Sequence, residues 1–200
     1  TSLASLRQRS RRRLVIVLGL ALAAGGLAAS LRPSAEAEDL DDKAAIAQVT
    51  ARLLENSHYN GQRLDDARAS RFLDRYLEML DGNRLYFLES DLAEFAPLRT
   101  LLDDLTRSRG DTRPAEQIFE RFQERLEQRA AYARELLQTE KFDFNGTDTY
   151  TVDREDEPRP RDLAAAKQLW RQQLRYEYLQ ELLSDKQPDE IIKTLARRYD

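Results

Sequence analysis

The sequence predicts an all-α fold, an irregular helical bundle of about five to six helices after an N-terminal signal or anchor helix. Apolar residues recur every three or four positions through most of the chain, and acidic residues, prolines and glycines mark where these runs begin and end. Hydrophobic residues make up 41% of the 200 residues and charged residues 34%. Each helix must therefore bury one face and expose the other. One short extended loop excursion, within residues 142–161, interrupts the pattern.

The first 37 residues differ from the rest. A basic stretch, residues 5–13, precedes 18 uncharged residues, 14–31, and the small residues of the Ala-Glu-Ala segment 35–37 form a candidate cleavage motif. This layout is typical of a secretory signal peptide. In that interpretation residues 38–200 are exported.

Two alternatives remain open for this leader. Eighteen apolar residues reach the lower limit for a membrane span, so residues 14–31 are also compatible with an uncleaved inner-membrane anchor. The basic side would then stay in the cytoplasm and the body would lie outside. Residues 10–15 loosely match a twin-arginine signal, although an ordinary arginine-rich region is the simpler interpretation. Every alternative exports the body.

The charge of the body argues against nucleic acid as a partner. The chain has 32 Lys and Arg and 36 Asp and Glu; residues 1–37 hold six of the former and one of the latter, which leaves 26 basic and 35 acidic groups in residues 38–200. The body thus has a net charge of −9. Because binding to a phosphate backbone depends on cationic side chains, we expect no nucleic acid partner.

Two helices are predicted before the centre of the chain. Residues 39–57 open on acidic residues, which favour a helix N-terminus. Residues 64–82 end at Gly82, a residue common just past helix C-termini. Apolar positions fall at helical spacing in both: Ile46, Val49, Leu53 and Leu54 in the first, and Phe72, Leu73, Tyr76, Leu77 and Leu80 in the second.

An aromatic segment follows Gly82 and leads into a third predicted helix. Tyr86, Phe87 and Leu88 stand side by side at a tight turn. We expect them to pin the helical hairpin into the core, or onto a further domain, rather than to bind a ligand. The third helix, residues 90–110, is expected to use Ser90 or Asp91 as its cap, with Glu94 three residues after Asp91. Pro97 near its start is tolerated there or marks a kink.

The second half of the chain predicts three more helices. Residues 113–138 have Pro114 near the first position and one apolar stripe, which favours a packed bundle over a coiled coil because it lasts only about three heptads. Residues 164–183 and 187–199 follow, the latter with Pro188 near its start. The expected buried positions are Ile118, Phe122, Leu126, Ala130, Ala133 and Leu137, then Leu169, Trp170, Leu174, Tyr178, Leu179 and Leu182.

The excursion between these helices combines an extended and a charged part. Phe142, Phe144, Tyr150 and Val152 alternate around Asn145-Gly146, which suggests a short extended or hairpin-like piece. The charged, proline-containing residues after it predict a surface loop.

No pattern in the chain predicts catalysis or metal binding. There is no Cys and one His, which excludes thiolate and multi-His metal sites, and no Ca²⁺ loop, phosphate loop or dinucleotide fingerprint occurs. His58 is expected to cap or pack at a helix end. Ser184 and Lys186 point in different directions on a helix, so they do not form a dyad. The carboxylate runs 103–104 and 155–157 are interpreted as solvated charge. We predict no catalytic, cofactor-binding or metal residue, and no cofactor.

Four motifs in order carry a family resemblance. They are the His-Tyr segment 56–66, the helix and aromatic turn 70–95, the Asp-Thr-Tyr and Trp segments within 142–179, and the closing residues 195–200. Their order and spacing resemble the N-terminal domain of the tail-specific, or carboxy-terminal processing, proteases of the bacterial envelope. The resemblance spans roughly residue 45 to the end.

The resemblance implies a periplasmic serine endopeptidase that degrades or trims proteins from apolar C-terminal tails. In that family a PDZ domain captures substrate C-termini and a catalytic domain supplies a Ser nucleophile with a neutral Lys base. This chain would be the non-catalytic helical domain, residues 38–200, which packs on the protease body and offers a surface for an adaptor lipoprotein or a substrate. Its only Met is Met79, and residue 200 is still in helical periodicity, so we expect a piece of a longer product.

Two other function classes remain as alternatives. A stand-alone helical envelope protein, anchored by residues 14–31 and acting as a scaffold or holdase, explains the leader and the acidity but not four family motifs in order. A hydrolase that uses carboxylates has no support beyond the abundance of Asp and Glu.

Overall fold

The computed structural model describes residues 35–57 and 64–200. These residues form seven α-helices and one 3-10 helix, and no strand occurs among them. The helices are α1 Ala35–Ser57, α2 Asp66–Asp81, α3 Glu89–Phe95, α4 Leu102–Arg109, α5 Arg113–Thr139, α6 Leu163–Leu183 and α7 Pro188–Arg198, with the 3-10 helix Ala96–Thr100 between α3 and α4. The all-α prediction is confirmed. Residues 44–200 form one compact unit, which contains the bundle.

The bundle has two main clusters of buried side chains joined by the longest helix. In the first half, α2 packs on the 3-10 helix and α4; in the second half, α5, α6 and α7 pack on one another. The first cluster comprises Leu73, Leu77, Phe87, Phe95 and Ile118, and the second Ala133, Leu136, Leu137, Leu174, Tyr178, Ile191, Leu195 and Tyr199. Helix α5, with 27 residues and so about 40 Å of length, contributes to both.

Short-range signals in the sequence start several helices where the pattern predicts. The Asp65 carboxylate accepts from the Arg68 N–H at 2.9 Å, and the Asp162 carboxylate accepts from the Ala165 N–H at 2.8 Å. Both side chains satisfy a donor that the helix itself leaves unpaired. Pro114 lies in the first turn of its helix, where its missing N–H costs little.

The predicted helix 90–110 is divided in the structure. The chain is α-helical up to Phe95, tightens into the 3-10 helix that contains Pro97, and becomes α-helical again at Leu102. The cap also differs: α3 begins after Leu88, and Asp91 reaches back to the Leu88 N–H at 2.9 Å, while Ser90 caps nothing. Pro97 supplies the physical reason for the break, because it has no N–H to continue an α-helical ladder.

Helix α1 forms as predicted, but the face that contacts the bundle is not the predicted apolar face. Its contacting face carries small or polar residues, and the Gln48 side chain donates to the Ser108 carbonyl at 2.9 Å. The predicted apolar stripe instead faces outward, with Ile46 66%, Val49 63% and Leu53 61% exposed. Of the second predicted stripe, Leu73 and Leu77 are buried, whereas Phe72 is exposed. In the later helices Leu126 and Leu182 are likewise more exposed than expected.

The excursion does not form a hairpin within the described residues. Phe142 stacks on Tyr178 with ring centroids 4.4 Å apart, and Tyr150 lies 5.3 Å from Tyr176, so aromatic packing on α6 holds the segment. Val152 is exposed. The segment predicted as extended or hairpin-like is therefore an irregular loop that lies along α6.

None of the helices in the described ranges combines the length and apolar composition that a membrane crossing requires. The predicted leader segment, residues 14–31, lies outside those ranges, as does His58.

Candidate functional site

The aromatic turn, residues 82–88, is held by several buried hydrogen bonds. Asp81, the last residue of α2, is 2% exposed, and its carboxylate accepts three backbone N–H groups of the turn. The distances are 2.7 Å from Leu85, 3.2 Å from Tyr86 and 3.0 Å from Phe87. One buried carboxylate therefore sets the path of the chain. Gly82 keeps right-handed dihedrals, and it is Arg84 that adopts a positive φ of 52°.

Two long-range contacts hold the same turn from outside. Arg159 pairs with the Asp81 carboxylate and also donates to the Asp81 carbonyl at 3.3 Å. The Trp170 indole N–H donates to the Leu85 carbonyl at 2.6 Å, in a fully buried position. Since these partners lie 78 and 85 residues away in sequence, the turn is a joint between the two halves of the bundle.

The side chains of the aromatic block pack against the bundle, as the sequence predicts, with Phe87 and Leu88 buried and Tyr86 half-buried. Phe87 is 0% exposed and meets Phe95 edge to face at 5.8 Å. Tyr86 meets Phe122 edge to face at 5.2 Å. Leu88 is buried in a small third cluster with Ala166 and Trp170. Edge-to-face geometry favours the electrostatics of aromatic rings, so packing accounts for the block.

A second buried carboxylate, Asp91, lies beside the turn and is 0% exposed. Arg125 binds it through two nitrogens, at 2.9 and 2.7 Å, and Arg121 adds a contact at 2.7 Å. Burial raises the pKa of the Asp91 carboxyl, but the hydrogen bonds from Arg125, the Leu88 N–H and Arg121 outweigh it and hold that pKa below its usual value. Asp91 is therefore a saturated anion with no lone pair directed at a cleft.

Arg129 forms the third buried polar centre. Its guanidinium lies 5.2 Å from the Tyr86 ring and 5.4 Å from the Tyr199 ring. It donates to the Tyr86 hydroxyl at 2.5 Å and to the Tyr199 hydroxyl at 3.1 Å. The Tyr199 hydroxyl in turn donates to the Glu177 carboxylate at 3.1 Å. Burial raises the pKa of Tyr199 to about 12. This centre connects the aromatic turn with the end of α7.

Ser184 and Lys186, which the sequence analysis rejected as a catalytic dyad, each form a hydrogen bond with another residue. The Ser184 hydroxyl donates to the Gln180 carbonyl at 3.1 Å, and the Lys186 ammonium pairs with Glu181 at 2.5 Å. The Ser184 hydroxyl and the Lys186 ammonium form no hydrogen bond with each other. The carboxylate run at 155–157 lies at or near the surface as expected, but Asp103 does not, because it is only 8% exposed. The solvated-charge interpretation is wrong for that residue.

A surface groove of about 440 Å³ runs between the excursion and α6. It is lined by aromatic rings and by Arg171 and Arg175. Both arginines already contact Glu140. No group of three or more acidic or His side chains suited to a metal ion occurs in the residues that the structure describes.

Comparison with known proteins shows the family of the chain. The chain matches the family model described as the tail specific protease N-terminal domain over residues 50–200. The chain belongs to this family. A similar curated protein, the tail-specific protease of Haemophilus influenzae, is 32% identical over 189 residues, an alignment that covers 93% of this chain and 27% of the relative. The chain thus spans about a quarter of the length of that tail-specific protease.

Sequence reasoning missed the polar residues that organise this tail-specific protease N-terminal domain. Arg125 and Arg129 are 9% and 8% exposed on α5, in a stretch where the apolar stripe predicted Leu126 inside. The sequence shows two arginines four residues apart, and like charges at that spacing repel each other on a helix surface. Arg125 and Arg129 lie inside because they contact residues distant in sequence, Arg125 the Asp91 carboxylate and Arg129 the Tyr86 ring.

Proposed function

We propose that this chain is the non-catalytic helical N-terminal domain of a longer, periplasmic, serine-type carboxy-terminal processing endopeptidase. The observation that carries the proposal is the family match over residues 50–200, together with a relative of which the alignment covers only 27%. The rest of such a protein is proposed to contain the PDZ domain and the Ser and Lys of the reaction, which act on proteins with apolar C-terminal tails.

Exposed apolar faces support a docking role for the domain. Ile46, Val49 and Leu53 form one outward stripe on α1, and Phe72 and Met79 form another on α2, with exposures between 61% and 75%. Contiguous apolar surface of this kind is characteristic of protein interfaces. We propose that these faces pack on the protease body or receive an adaptor lipoprotein.

The leader sets the proposed location. Residues 1–37 act as a signal peptide in this proposal, or as an inner-membrane anchor if they are not cleaved. The stand-alone scaffold or holdase remains the competing function, because its exposed apolar faces would bind client proteins without a protease body.

Sequencing the gene beyond the codon for Asp200 tests the proposal first. A continuing frame that encodes a PDZ domain and then the family's Ser and Lys segments is the expected result. The complete product should cleave a reporter with an apolar C-terminal tail and spare the same reporter with a charged tail. An in-frame stop directly after Asp200 would overturn the protease proposal and leave the scaffold.

The docking faces have their own test. Residues 38–200 alone should bind an environment-sensitive apolar dye, and Ile46→Ser with Leu53→Ser should remove much of the signal without unfolding the bundle. Glu78→Ala, on an equally exposed polar position of α2, serves as the control. Absence of dye binding by the unmodified fragment would contradict the docking role.

A further inference from the structure

The loop between α5 and α6 contains an exposed Asn-Gly pair. Asn145 and Gly146 both lie at the surface, with Gly146 at a bend of the irregular chain. The Asn145 N–H donates to the Asp143 carboxylate at 3.0 Å. Within the described ranges, nothing accepts a hydrogen bond from the Gly146 N–H. A Cβ on Gly146 would meet Asp148 at 3.9 Å, an ordinary van der Waals distance. The space around Gly146 is therefore open, and its N–H is not engaged by the fold.

We propose that Asn145 is a site of spontaneous covalent modification, in which the Gly146 nitrogen displaces the side-chain amide of Asn145. The Gly146 nitrogen gives up its proton to hydroxide and bonds to Asn145 Cγ. The Cγ–Nδ2 bond breaks and ammonia leaves, which produces a cyclic imide. Water then opens the imide at either carbonyl carbon and yields aspartate or isoaspartate. Because water is the only co-reactant, the modification is independent of the proposed protease activity.

The other asparagines that the structure describes lack this arrangement. Asn83 is followed by Arg84, whose N–H donates to a backbone carbonyl at 3.2 Å and whose Cβ flanks the nitrogen. Asn56 lies in the last turn of α1, where helical geometry holds the next peptide unit. Glycine restricts the backbone least and adds no Cβ beside the attacking nitrogen. The described structure therefore favours Asn145 for this reaction.

The products would act on the contacts that hold the loop on α6. The Arg175 guanidinium donates to the Asp143 carbonyl at 2.6 Å and lies 3.7 Å from the Asp148 carboxylate, so it holds the chain on both sides of Asn145. Isoaspartate routes the main chain through Cβ and Cγ, which lengthens the chain between these points by a methylene. Each product also places a new carboxylate near those of Asp143 and Asp148, and like charges repel. The loop should therefore loosen from α6 after the reaction.

Peptide mapping by mass spectrometry tests the site. The 200-residue chain is kept at neutral and at mildly alkaline pH, and the Asn145 peptide is separated into its asparagine, aspartate and isoaspartate forms. Asn145 should convert at least about tenfold faster than Asn83, because the nitrogen after Asn83 must first release a hydrogen bond. Conversion should be faster at the higher pH, since the attacking nitrogen must lose its proton. Isoaspartate should appear; aspartate alone would indicate direct hydrolysis of the amide and overturn the proposal.

Gly146→Ala is the matched variant, since the space around Gly146 accommodates a Cβ. It should slow conversion at Asn145 several-fold. Asn60, which also precedes a glycine but lies outside the described residues, is read on a separate peptide as the internal reference. Conversion at Asn145 no faster than at Asn83, or equally fast in Gly146→Ala, would refute the modification.

Limited proteolysis before and after ageing reports the loosening of the loop. Ageing should accelerate cleavage within residues 140–153 of the unmodified sequence and leave Gly146→Ala nearly unchanged. Arg175→Ala, which removes the contact on both sides of the pair, should be cleaved faster without ageing. Equal cleavage of the unmodified sequence before and after complete conversion of Asn145 would contradict the loosening and leave the modification itself in place.

Discussion

Removal of the buried Asp91 carboxylate should destabilise the bundle more than any single surface change. Asp91→Ala leaves the Arg125 guanidinium, whose side chain is 11% exposed, without the carboxylate that it binds through two nitrogens. Breaking a buried pair on one side typically costs about 3–5 kcal/mol, since the remaining charge stays buried. Gln128 still accepts from Arg125 at 2.9 Å, so we expect a cost near the lower limit, about 3 kcal/mol.

The assay is thermal unfolding followed by circular dichroism. For a domain of this size, about 3 kcal/mol corresponds to a fall in Tm of roughly 6–12 °C. Glu78→Ala removes a pair with Arg75 whose side chains are 61% and 76% exposed, and it should change stability by less than about 1 kcal/mol. If Asp91→Ala unfolds within 2 °C of the unmodified protein, the buried network does not stabilise the fold.

The pH dependence of unfolding, with and without the Asp91 carboxylate, checks the electrostatic part of the reasoning. Folding lowers the pKa of Asp91 from its ordinary value of 3.8. The unfolded chain therefore takes up the proton first as the pH falls. The stabilising contribution is complete above about pH 5 and disappears as the pH drops through the folded-state pKa. Asp91→Asn should flatten this part of the acid-unfolding curve.

Three further changes probe the rest of the joint. Because folding raises the pKa of Tyr199 from 10.0 to about 12, its contribution to stability should be lost between pH 10 and 12; Tyr199→Phe should weaken that alkaline decline, and an unchanged profile would contradict the assignment. Trp170→Phe leaves the buried Leu85 carbonyl unpaired and should cost about 1–3 kcal/mol in urea unfolding; a smaller loss would mean that water replaces the indole. Gly110→Ala places a Cβ 1.9 Å from the Ala44 carbonyl oxygen at a φ of +62°, so limited proteolysis should cleave α1 faster, whereas unchanged cleavage would refute that packing.

Local chemistry in the sequence was sufficient to place most helices. Asp65 and Asp162 cap α2 and α6, and Pro114 and Pro188 lie in the first turns of α5 and α7. Each of these signals acts within one helical turn, through a single side chain and nearby backbone groups. That short range is why a single sequence can place Pro114 and Pro188 at helix starts, whereas the caps at Asp65 and Asp162 were found only in the structure.

The exposed face of α1 marks the limit of periodicity as evidence. The pattern identified a two-faced helix correctly, but it could not say which face the rest of the bundle would contact. Gly110 allows the backbone of Ala44 to approach closely, and this contact turns the small residues inward. The aliphatic stripe is left outside because the packing partner of α1 is a helix terminus rather than an apolar groove.

By itself, the sequence determined the helical class, the approximate starts of most helices and the family, since these depend on residues that are close together or in a fixed order. Only the tertiary structure decided which charges are buried. Asp81 meets Arg159 across 78 residues, and Asp91 meets Arg125 across 34. A carboxylate or guanidinium can enter the interior only when its partner arrives with it, and that coincidence exists only in the folded chain.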